Sequence, residues 1–134
     1  MDIQIIKFRL HSDIRGGLIA VEQLKDIPFE IKRIYYIFDV TEGTRRGFHA
    51  HKKLRQVMFC PHGSCKIMLD DGTEKAEVLL DSPDKGLLVN SNIWREIFDF
   101  SQGTVLMVLA SDYYNECDYI RDYGEFLSSL KNII

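Results

Sequence analysis

The chain has 134 residues, 46% hydrophobic and 28% charged, with a formal net charge of −3. That length suits a single domain with a buried core and leaves little room for a second. The acidic balance argues against a duplex nucleic-acid binder, and no stretch approaches the ~18 apolar residues of a membrane span.

Short strands dominate the predicted elements. Residues 3–8 are apolar with polar interruptions, and residues 18–21 follow an Arg15-Gly16-Gly17 turn. Residues 34–38 are rich in β-branched and aromatic side chains. Residues 56–60 form an apolar run that Pro61-His62-Gly63 ends. Cys65, Ile67 and Leu69 then alternate with Lys66, Met68 and Asp70, the period of a half-buried strand. Asp71-Gly72 is a hairpin turn signal that leads into Ala76, Val78 and Leu80. Residues 87–89 and 104–110 are later runs, and the whole series predicts an all-β sandwich or barrel. At the end, Tyr119, Tyr123, Leu127 and Leu130 are spaced by four, four and three residues, which predicts a short helix lying on the barrel by this stripe. Asp118 is its expected N-cap.

The N-terminus, Met1-Asp2-Ile3-Gln4-Ile5-Ile6-Lys7, lacks the basic start and long apolar run of a secretory signal. Cys60, Cys65 and Cys117 make an odd count. The expectation is a cytoplasmic protein with reduced thiols, Cys60 and Cys65 serving as packing residues.

The chemistry concentrates in Arg45-Arg46-Gly47-Phe48-His49-Ala50-His51-Lys52-Lys53. Histidines two apart on a strand point to one face. If that face lines a barrel, both imidazoles sit inside it, beside more cations than a core can hold. The bland alternative is a solvated basic loop next to satisfied histidines. A His-x-His pair also fits a metal site, which needs an acidic residue shortly after it and a histidine on a later strand. Here those places hold Gln56 and Arg95. An amide is a poor ligand and a guanidinium is none. No metal is therefore expected, and acid–base chemistry by histidine remains. Tyr35 and Tyr36 lie on a strand expected to line the same barrel. They alternate in facing, so one of the two can supply a hydroxyl to the pocket.

At Arg46-Gly47-Phe48-His49-Ala50-His51-Lys52 the sequence resembles the sugar-nucleotide 3,4-ketoisomerases acting on dTDP-4-keto-6-deoxyglucose, a branch of the cupin superfamily related to the 3,5-epimerases. The likeness extends to Asp13-Ile14-Arg15-Gly16, residues 28–38, Leu69-Asp70-Asp71-Gly72, Leu80-Asp81-Ser82-Pro83 and Leu109-Ala110-Ser111-Asp112-Tyr113-Tyr114. It implies one cupin jelly-roll domain over residues 1–134, in a homodimer with exchanged N-terminal strands. It implies a dTDP-linked 6-deoxy sugar as substrate, no metal or other cofactor, and a product destined for a surface glycan such as lipopolysaccharide O-antigen. The implied roles are His49 as the base at C3, Tyr35 as a proton-shuttling hydroxyl, His51 as an assisting group and Arg46 as a phosphate contact. Arg15, Arg33, Lys53, Gln56 and Arg95 complete the expected substrate-binding set.

Galacto-forming members resemble this chain at Arg15 but carry histidine where Arg95 stands. Gluco-forming members match Arg95 but carry tyrosine in place of Arg15. The chain mixes the two patterns, and Arg15 favours the galacto product. Three other readings remain open: a metal-dependent cupin, a 3,5-epimerase that also exchanges hydrogen at C5, and a non-catalytic sugar-nucleotide binding module.

Overall fold

A computed structural model describes residues 1–131. Two five-stranded sheets form its body. The first has the order β1 (Gln4–Lys7), β9 (Lys85–Val89), β6 (Gln56–His62), β11 (Val105–Ala110) and β4 (Arg33–Ile37). The second has the order β12 (Tyr119–Ile120), β5 (Arg46–His51), β10 (Trp94–Phe98), β7 (Cys65–Asp70) and β8 (Lys75–Leu80). Neighbouring strands pair antiparallel, which gives the expected jelly-roll sandwich. A separate hairpin joins β2 (Leu10–Asp13) to β3 (Gly16–Ile19).

Alternation along the strands builds the layers. Met58 and Cys60 of β6 join Ile67, Leu69, Leu80, Val89 and Val108 in one buried cluster. Val57 and Phe59, one residue out of phase, join Phe8, Ile27, Phe29 and Leu109 in another. β6 is thus covered on both faces, which is why its sequence reads as an unbroken apolar run. Phe8 meets Phe59 edge-on, with ring centroids 5.1 Å apart. A third cluster, Ala50, Met68, Trp94, Ile120 and Phe126, seats the C-terminal helix against the second sheet. Cys60 and Cys65 are both buried, their sulfurs 3.6 Å apart, in the packing role expected of them.

The helix differs from its sequence reading. α1 spans Tyr123–Leu130, with Asp122 as N-cap accepting from the Glu125 N–H at 2.9 Å. Asp118 lies before it, at the end of a 3-10 turn over Glu116–Asp118, and Tyr119 is in a strand. The buried anchor is Phe126, whereas Leu127 is exposed. Asp122 and Glu125 three residues on form the sequence signature of a helix start. The apolar spacing that starts at Tyr119 does not continue this helix, because Tyr119 is taken up in β12.

β1 pairs with β9 of its own chain in the register Gln4↔Leu88 to Lys7↔Lys85. The β2–β3 hairpin leaves Leu10, Ile14 and Leu18 exposed. Beside it an apolar groove of about 570 Å³ runs over Ile19, Ile34, Phe59, Met107 and Leu109. Among the described residues no helix is long and apolar enough to cross a membrane.

Candidate active site

A bulge in β5 aims the site. Arg95 of β10 pairs with His49 and Glu96 with Gly47, leaving Phe48 unmatched. Gly47 (φ 94°) and Phe48 (φ 56°) both take left-handed backbone. A Cβ at Gly47 would stand 2.9 Å from the Arg95 carbonyl oxygen, so the strand contact and the dihedral both demand glycine. Phe48 turns out to solvent, and the two histidines stay on one inner face with ring centroids 5.0 Å apart.

His49 lines a cavity of about 320 Å³ with Arg33, Tyr35, Arg46, Tyr119 and Arg121, over Ile37, Met58 and Ile97. The His49 Nδ1 lies 3.0 Å from the Gly47 carbonyl. A carbonyl only accepts, so Nδ1 carries the proton and Nε2 is left as a bare lone pair. That Nε2 is buried with no hydrogen-bond partner among the described residues. Burial first, and the Arg95 charge second, press the His49 pKa from 6.5 down to about 4. The imidazole is therefore neutral near pH 7.

His51 is fully buried behind it. Its Nδ1 donates to Asp118 Oδ2 at 3.1 Å. Burial and Arg95 lower its pKa to about 2, so this contact is a hydrogen bond from a neutral ring and not an ion pair. Asp118 also accepts the main-chain N–H groups of Lys53 (2.9 Å) and Leu54 (3.3 Å).

The alternation of β4 resolves the two tyrosines: Tyr35 lines the cavity and Tyr36 is exposed. The Arg33 guanidinium lies 5.1 Å from the Tyr35 ring centre and 5.5 Å from that of Tyr114. Its Nε and Nη2 are buried without partners among the described residues, two donors shaped for an anion. Arg46 completes the cationic wall.

The other expected binding residues fall elsewhere. Arg95 and Gln56 are fully buried and stand behind the cavity wall, bonded to each other through Arg95 Nη1 and Gln56 Oε1 at 2.5 Å. Lys53 is exposed, and its main-chain N–H donates to Asp118. Arg15 sits at the hairpin tip, its side chain 86% exposed and paired with Asp13 at 2.5 Å. The hairpin carries it away from the wall of its own chain's cavity.

Three residues of the site went unread in the sequence. Tyr119 packs on both imidazoles, with centroids 5.1 Å from His49 and 4.3 Å from His51. Arg121 lies over Tyr119 at 4.2 Å and is held by Glu116 at 2.6 Å. Asp118 orients His51. All three fall within the segment whose spacing predicts a helix or its cap, and all three lie before α1. The Asp122…Glu125 helix-start signal is the one that leaves residues 118–121 outside the helix, with Tyr119–Ile120 extended beside β5.

Among the described residues no three His, Cys, Asp or Glu side chains converge as metal ligands. Around the imidazoles stand the Asp118 carboxylate, the Tyr119 and Tyr35 phenols and the guanidinium cations of Arg33, Arg46 and Arg121, a set suited to moving protons and holding anions.

Known proteins carry the same architecture. A TDP-4-oxo-6-deoxy-alpha-D-glucose-3,4-oxoisomerase of Aneurinibacillus thermoaerophilus is 53% identical over 133 residues, 99% of this chain and 96% of that one. The crystal structure of a 3,4-ketoisomerase from Helicobacter canadensis matches with a TM-score of 0.94 at 53% identity, covering 98% of each chain. A mutant of the 3,4-ketoisomerase QdtA from Thermoanaerobacterium thermosaccharolyticum, solved in complex with TDP-4-keto-6-deoxyglucose, matches with a TM-score of 0.95 at 45% identity over 98% of this chain and 96% of that one. The family described as FdtA: WxcM-like, C-terminal matches residues 1–131, and the chain belongs to it.

Proposed function

We propose that this chain is a sugar-nucleotide 3,4-ketoisomerase, converting dTDP-4-keto-6-deoxyglucose to a dTDP-3-keto-6-deoxyhexose with His49 as its base. The observation that carries the reading is the buried, unpartnered Nε2 of a neutral His49 in a cavity shared with the Tyr35 hydroxyl. A proton next to a ketone is acidic enough for imidazole when the developing oxyanion is met by a donor.

The cycle balances without an external oxidant. His49 Nε2 takes the C3 proton, the C–H pair becomes the C3–C4 double bond, and O4 takes the Tyr35 proton to give an enediol. Tyr35 then takes the O3 proton, C3 becomes the carbonyl, and the histidine proton returns to C4. Ketone and alcohol have exchanged places with no net oxidation, so the reaction calls on no nicotinamide. Arg33, with its unmet donors, and Arg46 hold the diphosphate. Its negative charge offsets the arginine field and raises the His49 pKa as substrate binds.

His51 keeps a neutral Nε2 in reserve beside His49. A homodimer with exchanged N-terminal strands accounts for the exposed Leu10, Ile14 and Leu18 and for the apolar groove beside them. Such an exchange would deliver Arg15 to a partner's cavity, where it favours the galacto product. A nucleotide-sugar substrate and the absence of a membrane-crossing helix among the described residues fit a cytoplasmic enzyme supplying surface-glycan synthesis.

The test is incubation with dTDP-4-keto-6-deoxyglucose in heavy water, followed by proton NMR of the product. A 3-keto sugar with no deuterium at C5 is expected, with the small H4–H5 coupling of the galacto ring; deuterium at C4 measures how far the proton on His49 exchanges with solvent before it returns. Deuterium at C5 would indicate a 3,5-epimerase, and a large coupling would overturn the galacto assignment. His49→Asn should lower kcat by about 10²–10⁴ while TDP still binds.

A further inference from the structure

Arg95 is a fully buried cation with no carboxylate partner among the described residues. Its Nε and Nη2 donate to the Ile93 carbonyl at 3.2 and 2.9 Å, and its Nη1 to Gln56 Oε1 at 2.5 Å. A guanidinium has five N–H donors and no acceptor. The Gln56 atom that faces it must therefore be the amide oxygen. The other end of that amide is then fixed as NH₂, and it lies 3.0 Å from the Tyr35 hydroxyl oxygen. An amide NH₂ donates and cannot accept. Tyr35 must receive this hydrogen bond and send its own proton elsewhere, and its remaining open side is the cavity it lines.

We propose that Gln56 is a positioning residue that fixes the direction of the Tyr35 hydroxyl, holding it as a proton donor toward the substrate. The inference rests on reading the cavity as a ketoisomerase site. In the cycle above, the phenol gives its proton to O4 and stands as a phenolate until O3 returns one. The Gln56 N–H suits both states, because it donates to an oxygen whether or not that oxygen carries hydrogen. A carboxylate in the same place suits neither. It would accept the Tyr35 proton, turn the hydroxyl away from the substrate and repel the phenolate. Gln56 and Arg95 thus act from behind the wall, with no contact to the sugar.

Gln56→Glu tests this, since the new carboxylate keeps an oxygen for Arg95 and introduces the charge beside a cation, which protects the fold. The variant is expected to lose about 100-fold in kcat with KM changed less than about 3-fold. The Tyr35→Phe/Gln56→Glu double variant should be no slower than Tyr35→Phe alone, because without the hydroxyl there is nothing to orient. An independent readout is the ionisation of Tyr35 followed by NMR of ring-labelled tyrosine in the free enzyme. Gln56→Glu should move it to higher pH than in the wild type. Wild-type kcat in Gln56→Glu, fully additive losses in the double variant, or an unmoved Tyr35 titration would each overturn the proposal. A wild type without ketoisomerase activity would remove the underlying reading instead, and an unmoved titration would still overturn the contact between residue 56 and the Tyr35 hydroxyl.

Discussion

Asp118→Ala removes the acceptor of three donors at once: His51 Nδ1–H and the main-chain N–H groups of Lys53 and Leu54. The Asp118 side chain is only 16% exposed, so water cannot replace it throughout. Lys53 is exposed and its N–H can be rehydrated, but Leu54 and His51 are buried. Each buried donor left unpaired costs about 1–3 kcal/mol, and losing the charged acceptor adds to this, for a total of about 3–5 kcal/mol. For a domain of this size that lowers Tm by roughly 10–20 °C. Asp118→Asn should be milder, about 1–2 kcal/mol. Its single oxygen can turn to the side that serves both His51 and Leu54. The assay is urea unfolding of both variants alongside turnover of the folded fraction. Asn should keep turnover within about 10-fold while Ala loses more, because only Ala frees the His51 ring to change tautomer. A cost below about 1 kcal/mol for Asp118→Ala would refute the reasoning, since it would mean the three bonds are not held in solution.

Acidification provides a second check. The His49 and His51 pKa values lie below 6.5 in the folded chain, so the unfolded chain binds more protons. Their stability contribution is complete above pH 6.5 and is lost as pH falls toward 4. A urea midpoint that stays flat from pH 7 to 4.5 would contradict this. The acid limb of kcat/KM should fall near pH 4, that of the free His49, with the kcat limb at higher pH because the bound diphosphate raises the His49 pKa. Identical limbs would show that substrate charge does not reach the ring. Gly47→Ala should cost roughly 1–3 kcal/mol in backbone strain alone, and more through the contact with the Arg95 carbonyl, with turnover lost as His49 is displaced. Normal stability by urea unfolding would argue against the bulge. Phe126→Ala should destabilise by about 3–5 kcal/mol yet leave KM unchanged, since α1 anchors the outer face of the second sheet and not the cavity.

By itself the sequence determined the all-β class, most strands and the segment from which the proposed site is built. Strand alternation is a local property, and Arg46-Gly47-Phe48-His49-Ala50-His51 puts two imidazoles on one face through the pleat alone. The same period limited Tyr35 and Tyr36 to one hydroxyl in the pocket, but which of them it was depended on how β4 pairs with β11. Other features came from long-range contacts that no local pattern encodes. β10, with Arg95 and Glu96 at its centre, has no apolar alternation, because its buried cation is satisfied by groups 2 and 39 residues away in sequence. Tyr119, Arg121 and Asp118 join the site only because β12 pairs with β5 from almost seventy residues away, the separation of Tyr119 and His51. Arg15 left the cavity wall because a two-stranded hairpin projects it outward. The lone pair on His49 and the forced direction of the Tyr35 hydroxyl also belong to tertiary structure. A proton's position follows from which acceptor faces which donor, and that is settled only when the sheets close.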